Sequence, residues 1–91
     1  MTYAEQTEAL RAMTNRLAAR TPATGLASLM LIDLERETAW CERLVREAAA
    51  RFDGSYETAL AIMGGRRPAD VVRVYVVRLR SELAAQTRRA A

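Results

Sequence analysis

The stretch from Pro68 to Ala90 constrains the fold of this chain more than any other. It opens on a proline, places Asp70 two residues later, and ends on Arg88-Arg89. Proline has no N–H to leave unpaired in a first helical turn, and an early acid and late bases oppose the helix dipole. The middle, Val71 to Leu79, is rich in β-branched residues and has strand propensity. It does not alternate, however: Val71-Val72 and Val76-Val77 are adjacent apolar pairs, and no other segment offers a partner strand. The pattern therefore predicts a helix over about 68–89. Its seam is Val72, Val76, Leu79, Leu83 and Gln86, with a second apolar flank of Val71, Val74, Tyr75 and Val77.

The rest of the chain reads the same way. Thr2 followed by Glu5 is a capping-box pattern, and Tyr3, Gln6, Leu10, Met13 and Leu17 recur at helical steps. They predict a first helix over about 3–20, interrupted by Thr21-Pro22 and loosened at Gly25. A second helix over about 24–52 carries Ala27, Leu31, Leu34, Thr38, Cys41, Val45, Ala48 and Phe52 at alternating steps of four and three, a heptad seam. Leu26, Leu29, Met30 and Ile32 widen that seam, which predicts burial on several sides at this end. Trp40 and Leu44 lie on a neighbouring stripe that suits a partner chain or an apolar surface. After Asp53-Gly54-Ser55, a short helix over about 55–63 is expected to end at Gly64-Gly65. The expectation is one all-α domain over 1–91, an amphipathic helical bundle or coiled coil.

Of the 91 residues, 51% are hydrophobic, but alanine supplies much of that share and only 5% are aromatic. A single copy then buries a thin core, and self-association into a homo-oligomer, a dimer or tetramer, is expected to complete it. The candidate surface for that association is the set of seam positions Leu31, Leu34, Cys41, Val45, Phe52, Val72, Val76, Leu79 and Leu83. The net charge is +3, and every base is arginine. Acids and bases interleave, as in Glu35-Arg36-Glu37 and Glu42-Arg43, which reads as a solvated face carrying weak ion pairs.

The residue inventory argues against an enzyme. There is no histidine, so the usual neutral-pH proton carrier is missing. One cysteine without histidine builds neither a thiolate zinc site nor a Cys–His nucleophile. Di-iron bundles need a Glu-x-x-His element, so Glu35 and Glu42 do not suffice, and Asp33 reads as a helix-surface or interfacial carboxylate. Gly64-Gly65 lacks the lysine and spacing of a phosphate loop. Arg11, Arg46, Arg78 and Gln86 could serve a dicarboxylate site like that of helical chorismate mutases, but that family's opening arginine–isoleucine–aspartate pattern is missing. No cofactor or metal is expected.

Arg66-Arg67 and Arg88-Arg89 are pairs rather than a basic stripe, so no specific nucleic-acid contact is expected. Leu26 to Leu34 is far too short to span a bilayer, and no secretory leader is evident. A cytoplasmic location follows, consistent with the lone Cys41.

The segment Leu60 to Thr87 resembles the C-terminal part of the phasins, small helical proteins that coat polyhydroxyalkanoate storage granules in bacteria. Their pattern is a small apolar helix end, a short polar stretch, a proline, an acid two residues on, and an amphipathic helix. That helix has an arginine at its middle and a glutamine and bases near its end. Pro68, Asp70, Arg80 and Gln86 fall at matching places; Tyr75 stands where phasins commonly have glutamine, and Arg78 where they have an aromatic. The resemblance implies a non-enzymatic, granule-associated protein whose partner is the polymer surface. The residues alone are equally consistent with a helical homo-oligomeric interaction module or regulator that has no polymer target.

Overall fold

The computed structural model describes residues 2–51 and 67–90. The helix expected over 55–63, its flanking caps and Phe52 lie outside the described residues. What is described is all-α: three helices and, among these residues, no strand.

Helix α1 is Tyr3–Arg20. The Thr2 hydroxyl accepts from the Glu5 N–H at 3.2 Å and donates to the Glu5 carboxylate at 3.2 Å, so Thr2 caps the helix. The helix stops at Thr21, whose N–H and hydroxyl turn back to the carbonyls of Ala18 and Leu17, before Pro22, which has no N–H to continue it. Gly25 redirects the chain at φ +94°, a backbone region that side chains disfavour, and its carbonyl accepts from Leu29 N–H to start α2, Leu26–Arg51. Helix α3 covers residues 68–90: α-helical Pro68–Val71, a π-helical stretch Val72–Val76, and α-helical Val77–Ala90.

The register is fixed by pairs across the helices. Arg11 meets Glu42 and Thr14 meets Thr38, so α1 and α2 are antiparallel. Glu37 of α2 shares a groove with Asp70, Val71, Val74 and Tyr75, while Gln86 lies 3.7 Å from where a Cβ on Gly25 would sit. Helix α3 therefore also runs antiparallel to α2, making an up-down-up bundle. Pro68, Ala69 and Val72 line a groove with Gln6, Ala9, Leu10 and Met13, which starts α3 beside the middle of α1. Its far end consequently overshoots α1 and reaches the α1–α2 loop.

The core is the seam of three helices. Leu10, Leu34, Val76 and Leu79 are fully buried, with Tyr3, Leu17, Ala27, Cys41, Leu44, Val71 and Leu83 around them. Burying each large aliphatic side chain contributes roughly 1.5–3 kcal/mol. Two departures from the expected stripes have a physical cause. In α1 Thr7 and Thr14 are buried beside Tyr3, Leu10 and Leu17, whereas Gln6 and Met13 are only half-buried. Each threonine hydroxyl donates to a carbonyl one turn back, Thr7 to Tyr3 at 2.9 Å and Thr14 to Leu10 at 2.8 Å, so its polarity is cancelled locally.

In α3 the buried positions run Pro68, Val71, Val76, Leu79, Leu83, with steps of three, five, three and four. A regular α-helix would turn a five-residue step away from the core. The π-helical stretch takes up one extra residue per turn, shown by Val77 N–H donating to the Val72 carbonyl. This places Val71 in the core rather than on a flank and leaves Val72 half-buried.

Candidate interaction surface

The seam residues singled out in the sequence meet inside one chain. Leu34, Cys41, Val76, Leu79 and Leu83 are buried against each other's helices, and Leu31, Val45 and Val72 are half-buried at the edges. In the closed bundle they form a core, not a presented face. Leu44 is buried too, and Trp40 is half-buried against the same cluster.

What the fold leaves outside is a different apolar set. Leu26 is 55% exposed, Leu29 63% and Ile32 44%, all on the first two turns of α2; on α3, Val74 is 44% exposed and Val77 58%. The expected burial of the α2 start on several sides is thus not met among the described residues. Only Ala27, Met30 and Leu31 turn inward there, because α1 and α3 cover one side of α2 and nothing among the described residues covers the other.

A groove between α1 and α2 holds the Arg11–Glu42 pair. Ala4, Thr7, Glu8, Arg11, Ala12, Asn15, Glu42 and Val45 line it. Its two strongest groups hold each other: Arg11 donates from Nε to Glu42 Oε2 at 3.1 Å and from its terminal nitrogen to Oε1, a bidentate pair. That hydrogen bond keeps the Glu42 carboxyl below its ordinary pKa, against a smaller opposing effect of burial, and raises that of Arg11. No local pattern marks this pair, since it depends on the antiparallel register of two helices.

The sign of its pH dependence follows. A carboxyl with a lowered native pKa stabilises the fold above its unfolded value, about pH 4.3, and loses that contribution as pH falls through the native value. The two side chains are 31% and 32% exposed, so screening limits the pair to about 0.5–1 kcal/mol. A Glu42→Gln variant is expected to lose that amount at pH 7 and to show a correspondingly shallower loss between pH 5 and pH 3, read from urea midpoints.

The remaining residues considered for a dicarboxylate site do not converge on Arg11. Gln86 sits against Gly25, and Gly25 is about 25 Å of helix rise from Glu42 along α2. Arg46 and Arg78 are exposed on α2 and α3. The Gln86 side-chain oxygen is enclosed and accepts no hydrogen bond among the described residues. Among those residues no cluster of three or more histidine, cysteine or acidic side chains has the geometry to hold a metal ion, and no helix is long and apolar enough to cross a membrane.

No family model, no curated protein and no solved structure matches this chain.

Proposed function

We propose that this chain is a non-enzymatic, self-associating helical protein that adsorbs to the surface of polyhydroxyalkanoate granules, in the manner of the phasins that its C-terminal third resembles. The observation that carries the reading is the apolar surface outside a thin core: Leu26, Leu29 and Ile32 on α2, Val74 and Val77 on α3. A water-insoluble polyester offers such side chains shelter that water does not. On this reading the exposed residues make first contact. The bundle then opens, and seam residues such as Leu34, Val76, Leu79 and Leu83 spread on the polymer. Each large side chain transferred would contribute roughly 1.5–3 kcal/mol, enough for a few of them to offset unfolding of a small domain.

A second reading, a homo-oligomeric interaction module of two or four copies, rests on Val74 and Val77, which give the outer side of α3 an apolar character of its own. One experiment separates the two. Protein is mixed with polyhydroxybutyrate particles and sedimented beside a control helical bundle of equal hydrophobicity. Several-fold enrichment over the control supports the polymer reading. Equal recovery, together with a solution mass of two or four chains, supports the module.

A further inference from the structure

Helix α2 carries a second seam, turned away from its core. Leu26, Leu29, Asp33, Arg36, Trp40 and Arg43 follow one another at alternating steps of three and four. At about 100° per residue, all six point roughly 80–180° away from Leu34, in the same rotational sense as Glu37 on the α3 side. Trp40 is half-buried and the other five are exposed. The two halves of the seam differ in shape. Toward the α1–α2 loop Leu26 and Leu29 project, 55% and 63% exposed. Toward the other end Trp40, Arg43, Leu44 and Glu47 line a groove. Between the halves sit Asp33, which points between Leu26 and Leu29 round the helix, and Arg36 one turn later.

We infer that this seam pairs with its counterpart on a second copy, antiparallel, about a twofold axis between Asp33 and Arg36. Asp33 then faces the second copy's Arg36, Leu29 lies on its Trp40, and Leu26 enters the groove beside its Arg43. The axis makes each contact twice. Charge selects this occupant and this direction. A parallel pair would set Asp33 against Asp33, Arg36 against Arg36 and Arg43 against Arg43, all repulsive. Sliding the antiparallel pair by one heptad sets Leu29 against the second copy's Glu47 in one direction and its Asp33 in the other. An uncharged apolar surface supplies no base for the Asp33 carboxylate among these leucines, and an anionic surface repels it. A second copy presents an arginine to it at the same level and on the same face. The pairing gives a face to the self-association in the reading above and rests on that part of it, not on adsorption; Leu26 and Leu29 meet polymer once the pair has parted.

The test is the solution mass of the full chain by sedimentation equilibrium over a concentration series. The parent is expected to reach at least two chains at high micromolar concentration. Trp40, the one tryptophan, should emit at shorter wavelength as the pair forms. Asp33→Arg and Arg36→Asp, each alone, should weaken association by about a hundredfold or more, because both symmetry-related layers become repulsive. Mixed in equal amounts, the two variants should recover a heterodimer, since one then carries bases and the other acids at both positions. Leu29→Ser should weaken association by about a hundredfold, two leucines being lost per pair. Val74→Ser with Val77→Ser on α3 should leave it unchanged. All these side chains are exposed, so unchanged helical circular dichroism should accompany the losses. Association that survives Asp33→Arg and Leu29→Ser, or that Val74→Ser with Val77→Ser abolishes, overturns this face and leaves self-association standing. Charge variants that stay apart when mixed overturn the antiparallel pairing. A parent that remains a single chain at high micromolar concentration overturns the face and the self-association together, while recovery on polyester particles reads adsorption separately.

Discussion

Replacing Leu34 by alanine should cost this bundle about 2–5 kcal/mol and lower its thermal midpoint by ten degrees or more. Leu34 is fully buried in the middle of α2, where α1 and α3 both lie against the seam. Truncation removes transfer free energy and leaves a cavity that rigid neighbouring helices fill only partly. In a domain of this size each kcal/mol moves the midpoint by about 4–8 °C. Total stability is expected near 5–10 kcal/mol, so the variant is left close to its threshold at 37 °C. Ile32→Ala, two residues away, is the matched control. Ile32 is exposed, so its truncation should stay within about 0.5 kcal/mol when both are read by urea titration. A small effect at Leu34 would mean that its burial is not that of a rigid core.

The second large effect concerns the π-helical stretch, and it is a contrast between two deletions. Removing exposed Arg73 takes away the extra residue that Val72–Val76 accommodates. The buried steps of α3 then become three, four, three and four, which a plain α-helix satisfies. That deletion should leave stability within about 1 kcal/mol, or raise it as ordinary i to i−4 hydrogen bonds replace π-type ones. Removing Arg80, equally exposed, turns everything after it by about 100° around the helix. Leu83 would leave the core and Gln86 would leave Gly25, at a cost of about 2–3 kcal/mol for the leucine alone. Matching urea midpoints for the two deletions would show that the π-helical turn is not what absorbs the extra residue.

The all-α class was legible because its signals are local. The cap of Thr2 on Glu5, Pro22 after the first helix and Pro68 at the head of the last act within a turn or two of themselves. The heptad of α2 was legible as far as Ala48 because its small and apolar residues keep one period. On α1, Tyr3, Leu10 and Leu17 are buried as their spacing indicates, whereas Thr7 and Thr14 went unmarked because a hydroxyl counts as polar; hydrogen bonds to Tyr3 and Leu10 make them buriable. The π-helical turn was invisible because a single period cannot represent a five-residue step. For the interaction surface, the sequence marked Leu26, Leu29 and Ile32 as unusual but not as exposed. That outcome depends on α1 and α3 both lying on one side of α2. The pairing of Arg11 with Glu42 follows from register and lies beyond any local pattern.

The three buried threonines also bear on how such a chain can drift. Thr7, Thr14 and Thr38 each return the hydroxyl to their own helix, and the last two touch each other at 3.1 Å. What neighbouring helices meet is mainly a methyl group, the surface that valine would offer in outline. These sites can exchange threonine for valine with little change of shape, so the sequence can wander in apparent polarity while the packing stays the same. Ancestry in a bundle of this kind is then recorded in side-chain volume and spacing, and a comparison that scores residues by affinity for water would see strangers where the architecture is shared.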